Sequence, residues 1–441
     1  MMKDMTSGSP MKLMLSFTLP MFVGNLFQQL YNVVDTIIVG KFVGREALAA
    51  VGSCFAIMVL INSIILGLAM GASVLFSQLY GAKNYNRLKT AIILACVFIL
   101  GLTTILSLIA FLGTSTIIRW YQIPTEMVQY STDYLRCIFA GLLFVSLYNL
   151  AANLLRSFGD SKTPLYFLLL ACGINIALDL LFVVGFGMEV FGVAIATIIA
   201  QAVSGIACVF FAIYKIKFLQ FRREDAVFDT GLFRSMSRYA VLTSLQQSVM
   251  NFGIVLVQGL VNTFGAALMA AFAAGVKIDA FAYMPVQDFG NAFSTYTAQN
   301  VGAKNWARVR QGLKTAALIS GIFSLVVSLI VVMLAEPLIG LFIKAGDFEV
   351  IAIGVRYLRI EGAFYILIGF LFLFYGFYRG LGYAQVSIVL TVVSLGTRVA
   401  LAYLLAPTFG FTVIFWAIPI GWLLADVVGL GIWIRLRTRL E

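Results

Sequence analysis

The chain has 441 residues, 61% of them hydrophobic and 11% charged, with 30 Lys and Arg against 19 Asp and Glu for a formal net charge of +11. Soluble domains carry about 25% charge, and a water-facing fold of this size has no way to hide so much apolar surface. A soluble enzyme, a disulfide scaffold, a disordered regulator and an ordinary nucleic-acid binder are excluded, and the absence of histidine removes His triads, His proton relays and the usual zinc and haem ligands.

A bilayer crossing takes about 20 apolar residues, and polar breaks divide the chain into twelve such stretches. In the first half they lie near 13–40, 48–80, 90–117, 129–154, 164–186 and 190–214. Hydrocarbon leaves an isolated span little choice but a helix. Span 1 carries Pro20, which removes a backbone hydrogen bond and permits a hinge, and Asp35 further along. Span 4 holds Asn149 and Asn153, span 5 holds Asn175 and Asp179, and span 6 holds Thr197. The spacing of four places Asn175 and Asp179 on one helix face. A charge inside the bilayer costs several kcal/mol, so each is a functional candidate. Two carboxylates among neutral oxygens can bind a hard cation or share a proton; sodium would sit at Asp35, Asn175 and Asp179.

The longest break, 215–238, reads as a cytoplasmic linker joining an N-terminal six-helix lobe, 1–214, to a C-terminal one, 239–441. The later spans lie near 239–263, 266–301, 313–335, 356–378, 385–406 and 411–434. Their polar stock differs: Lys277, Asp279 and Asp288 in span 8, Arg398 in span 11 and Asp426 in span 12. With a cation nearby, these acids read as structural ion pairs. Arg136 and Arg359 read as structural too, paired with Asp133 and Glu361. The five cysteines fall in apolar stretches with no CxxC pair, so they read as small core hydrophobes.

Loops on one side of the twelve spans hold twenty-one basic residues and those on the other hold four, which places both termini in the cytoplasm. The halves also repeat at an offset of 221 to 223 residues. Gln78 with Gly81-Ala82-Lys83-Asn84 matches Gln299 with Gly302-Ala303-Lys304-Asn305, Tyr134-Leu135-Arg136 matches Tyr357-Leu358-Arg359, and Arg156 with Gly159 matches Arg379 with Gly382. Six spans per half give both the same orientation, so the expected fold is all-α: twelve transmembrane helices in two six-helix bundles related by a pseudo-two-fold along the membrane normal, a frame for alternating access.

Taken in order, Val34-Asp35-Thr36 with Gly40, Gln78-Leu79-Tyr80-Gly81-Ala82, Leu155-Arg156-Ser157-Phe158-Gly159-Asp160, Asn175 through Asp179, and Gln299-Asn300-Val301-Gly302-Ala303 resemble the MATE family, the multidrug and toxic compound extrusion transporters. The resemblance covers about residues 10–435. It implies a V-shaped pair of bundles and an antiporter, not an enzyme, that expels hydrophobic organic cations while admitting protons or sodium. The site it implies falls on Asp35, Asn175, Asp179 and Thr197, with Pro20 as the bending point. Sodium-coupled members carry acids in spans 7 and 10; span 7 here offers Gln246, Gln247 and Asn251, and Ala363 to Tyr378 has no acid, so coupling is expected in the first half. No cofactor beyond the coupling ion is expected. The expected setting is a bacterial inner membrane, the protein a lipid-embedded monomer with no nucleic-acid partner. A flippase for lipid-linked oligosaccharides is the competing reading; its anionic cargo would favour bases facing the cleft.

Overall fold

The computed structural model describes residues 3–344 and 346–440. Their α-helices run in the order α1 (Pro10–Ile38), α2 (Arg45–Gly81), α3 (Tyr85–Leu112), α4 (Thr114–Trp120), α5 (Val128–Ser157), α6 (Lys162–Asp179), α7 (Glu189–Lys215) and α8 (Thr230–Asn262). There follow α9 (Ala266–Gly302), α10 (Trp306–Met333), α11 (Ala335–Gly340), α12 (Phe348–Gly362), α13 (Tyr365–Gly380), α14 (Ala384–Phe409) and α15 (Thr412–Leu440). Ten of these are long and apolar enough to cross a membrane, and α12 with α13, bent by 52° at their junction, makes an eleventh. The 29-residue α1 completes the twelve by length; Asn25, Gln28, Gln29, Asn32 and Asp35 interrupt its apolar run. The chain is an all-α, multi-pass membrane protein. Helix starts fall outside the apolar stretches in places: α8 begins at Thr230 and α10 at Trp306, because a span continues past the hydrocarbon into its polar ends.

The chain folds as two compact units, one of residues 1–4 and 19–244, the other of 5–18 and 245–441. In the first, α2, α3, α5, α7 and the start of α8 enclose a core that includes Phe76, Ala91, Leu155, Phe158, Cys208 and Met236. Ile216 and Leu219, within the stretch that joins the halves, are buried in the same core. Gly67 and Gly71 form a small-xxx-small pair on α2, the pattern that lets helices approach closely in lipid. A Cβ on either would collide with the backbone of α8, at Ser244 and at Tyr239-Ala240 respectively.

In the second unit, α9 and α13 meet through Gly290 and Gly376, where a side chain on Gly376 would strike the Gly290 carbonyl. Phe293 and Phe377 stack beside them at 5.8 Å. The segment ahead of α1 docks on this unit. Met5, fully buried, donates its N–H to Gln299 Oε1 at 2.9 Å and accepts from Asn300 Nδ2 at 3.0 Å.

The sequence repeat is also a backbone repeat. Lys83 and Lys304 both adopt the left-handed conformation, at φ 55° and 56°, and Asn84 and Asn305 each cap the next helix by accepting an N–H, from Arg87 and Arg308. Positive φ recurs at Gly44 and Gly265, Gly159 and Gly382, and Gly187 and Gly410, the same offset that relates the motifs.

Candidate functional site

Asp35 lies one turn before the end of α1, and Asp179 is the last residue of α6. Both helices then change pitch: Val39–Val43 and Leu180–Gly185 are π-helical, a winding that is rare and frequent at functional sites. The two π segments pack against each other and against α7. Above the carboxyls they bury Ile38, Val39 and Val183 together with Val190 and Val193 of α7.

The carboxyls of Asp35 and Asp179 lie close enough to interact with each other. Asp179 is fully buried, Asp35 half-buried. Neither has a lysine or arginine among its interacting groups in the described residues. Both oxygens of Asp179 and Oδ1 of Asp35 meet no donor, and Oδ1 of the buried Asn175 is likewise unpaired. The Asn175 amide donates to Thr197 Oγ1 at 3.4 Å, and that hydroxyl donates to Val193 O at 3.0 Å. Tyr31 and Tyr134 lie within electrostatic reach of both carboxyls. A small pocket lies beside Asn175, lined also by Tyr31, Cys172, Thr197 and Gln201 among others.

The structure therefore gathers Asp35, Asn175, Asp179 and Thr197. Asn149 and Asn153 sit on α5 with their amides turned back on their own helix, to Val145 O and Asn149 O, each at 2.9 Å. Pro20 lies inside an unbroken α1, just past the point where that helix passes from one compact unit to the other. Tyr31 stands one turn before Asp35, a spacing that marks it in the sequence. Tyr134 carries no such local signal, since α5 delivers it from a hundred residues away.

In the second unit Asp279 takes hydroxyls, not an ammonium. Tyr357 donates to its Oδ2 at 2.5 Å and Tyr365 to its Oδ1. Glu361, almost fully buried, faces Asp279 instead of pairing with Arg359, and its Oε1 has no donor. The ion-pair expectation fails there because α12 and α13 bring two tyrosines and a second acid onto Asp279. Arg398 lies within electrostatic reach of Glu361, with its Nε unpaired. Lys277 packs over the Phe342 ring at 6.0 Å, and Asp288 is buried. Asp426 stands half-buried near Tyr375, both its oxygens without a donor. Asp133 accepts from Gln129 at 2.9 Å, and Arg136 lies over Phe111. Among the described residues no cluster of three His, Cys, Asp or Glu side chains is arranged to hold a metal.

The MatE family model matches residues 20–181 and 240–404. A curated relative, the probable multidrug resistance protein YpnP of Bacillus subtilis, is 28% identical over 430 residues, 97% of this chain and 93% of that protein. The multidrug export protein MepA of Staphylococcus haemolyticus is 21% identical, covering 98% of this chain and 95% of its own. A solved outward-facing multidrug resistance MATE family transporter of the MOP superfamily superposes with a TM-score of 0.91 over 99% of this chain and 98% of that one, at 23% identity.

Proposed function

The chain belongs to the MatE family of membrane transporters, and from that premise we propose that it is a secondary active antiporter. It exports hydrophobic cationic organic compounds in exchange for protons, by alternating access. The observation that carries this reading is the contact between the Asp35 and Asp179 carboxyls, with no base beside them and several oxygens lacking a donor. Two carboxyls in contact need a positive charge between them. A single proton supplies it as a hydrogen bond, whereas sodium would draw in Asn175 Oδ1 as a further ligand. With the proton gone, the pair is an anionic partner for a cationic drug, and Tyr31 and Tyr134 offer ring faces to the same cargo. One site thus serves ion and cargo alternately, which couples their movements in opposite directions.

The protein acts in this reading as a monomer in a bacterial inner membrane, with both termini in the cytoplasm. The Asp35–Asp179 site favours cationic cargo over the anionic headgroup of a lipid-linked oligosaccharide, because its fixed groups are acids. In proteoliposomes with an imposed proton gradient, wild type is expected to export a cationic dye and Asp35→Asn to lose gradient-driven export while still inserting. Export by Asp35→Asn at the wild-type rate would refute the coupling role. Export driven by a sodium gradient alone would replace the proton with sodium.

A further inference from the structure

We propose that the site selects cargo whose cationic centre carries an N–H, taking a protonated amine over a quaternary ammonium of the same skeleton, with Asn175 Oδ1 as the acceptor that tells them apart. The inference rests on the export reading above and deepens it by naming the cationic group. Asn175 is almost fully buried on α6 and lines the small pocket beside it. Its amide nitrogen is already engaged, donating to Thr197 Oγ1 at 3.4 Å, and that hydroxyl donates in turn to Val193 O at 3.0 Å. Its carbonyl oxygen, Oδ1, has no donor. Buried acceptors are nearly always paired, because leaving one bare is costly. A partner for this one must bring a hydrogen.

The unpaired atoms around it are of one kind. Both oxygens of Asp179, one turn further along α6, and Oδ1 of Asp35 also lack a donor. Among the described residues no lysine or arginine lines the pocket. Tyr31 and Gln201, on its wall, carry acceptors beside their own donors. What the site wants is a hydrogen-bond donor and a positive charge, and a protonated amine brings both on one nitrogen. A quaternary ammonium brings the charge alone and leaves Asn175 Oδ1 bare. Size works in the same direction. The pocket, walled on its apolar side by Leu168 and Ala200, has room for about one water molecule. An N–H can enter such a space; a nitrogen sheathed in carbon on every side cannot. A site that hydrogen-bonds an N–H of its substrate rejects the analogue without it, since the buried polar group is then left unpaired.

The test compares a fluorescent tertiary amine, fully protonated at the assay pH, with its N-methyl quaternary derivative. Affinity is read by equilibrium binding to the purified full chain, and transport in proteoliposomes with an imposed proton gradient. Wild type is expected to bind the amine roughly tenfold more tightly than the quaternary cation. Asn175→Leu, similar in volume but without the acceptor, is expected to bring the two affinities within about twofold of each other. Should Asn175→Leu not fold, Asn175→Ala carries the same test: a reduced preference supports the proposal, and the full wild-type preference removes it. Equal affinity of wild type for the two cations, with both transported, would overturn the selectivity and leave the export reading standing. A wild type that binds and moves neither would overturn both.

Discussion

Asp279 shows that the neighbours of a buried carboxylate decide its role more than its own type does. Two tyrosine hydroxyls hold its buried oxygens, and leaving a buried acceptor without its donor costs about 1–3 kcal/mol. Tyr365→Phe is therefore expected to lower the thermal stability of the purified protein by an amount in that range. Asn149→Ala, which removes an amide bonded only to its own helix, is expected to shift it by under about 1 kcal/mol. Equal losses in the two variants would mean that the Asp279 hydroxyls contribute no more than a local back-bond. At this scale the sequence was readable where rarity and spacing coincide. Asp35 and the Asn175–Asp179 pair stand out because charges are scarce in spans and four residues make a turn. Glu361 was not readable in the same way: it lies ahead of the apolar core of its span, and only the approach of α9 shows that it faces Asp279. Tyr357, Glu361 and Tyr365 do recur at intervals of four, but the bend after Gly362 breaks the periodicity that would have linked them.

Helix–helix contacts make their own demands. Gly67 and Gly71 let α2 touch the backbone of α8, so Gly67→Ala must push the two helices apart. Overpacking of this kind costs about 1–3 kcal/mol, and thermal unfolding of Gly67→Ala beside the control Gly52→Ala, whose Cβ would meet open space, measures it. An undiminished melting temperature for Gly67→Ala would contradict the close approach. The connection ahead of α8 is held in a different way. Asp225 accepts the Arg222 N–H at 2.7 Å and the Lys89 ammonium at 3.1 Å, which tie the connection to α3. The backbone N–H first, and Lys89 after it, hold this carboxyl below its ordinary value of 3.8 against the opposing effect of burial. A carboxyl lowered in the folded state stabilises it fully above its unfolded pKa, and that contribution fades as pH falls through the folded one. Pepsin cleavage within 216–229 is expected to accelerate as pH drops below 3.8, and trypsin to cut at Arg222 and Arg223 several-fold faster in Asp225→Asn at neutral pH. Cleavage rates indifferent to both changes would show that the tie does not restrain the connection. The sequence marked this stretch as a break because of its charge, yet its buried Ile216 and Leu219 follow from tertiary packing that no local pattern announces.

At the level of the whole molecule, the duplication was the most legible feature, since motifs at a fixed offset need no three-dimensional information. The structure adds that the offset extends to backbone conformation, through Lys83 and Lys304 and three pairs of glycines. The polar interiors of the two units did not stay alike. One brings together two carboxyls and an amide with tyrosines nearby that give them no hydrogen bond, the other carboxyls that accept from tyrosine hydroxyls with an arginine in reach, so a shared fold carries two polar arrangements. What the amino-acid pattern left hidden was the change of pitch that follows Asp35 and Asp179. A π turn holds one residue more than the α turn it replaces. Shedding that residue would rotate everything beyond it by roughly 100° about the helix axis. Such a rotation in either helix would swing Val39 or Val183 off the acids beneath, as a screw cap lifts when it is turned. The wetting of those acids would then be tied to the winding of two short stretches of backbone.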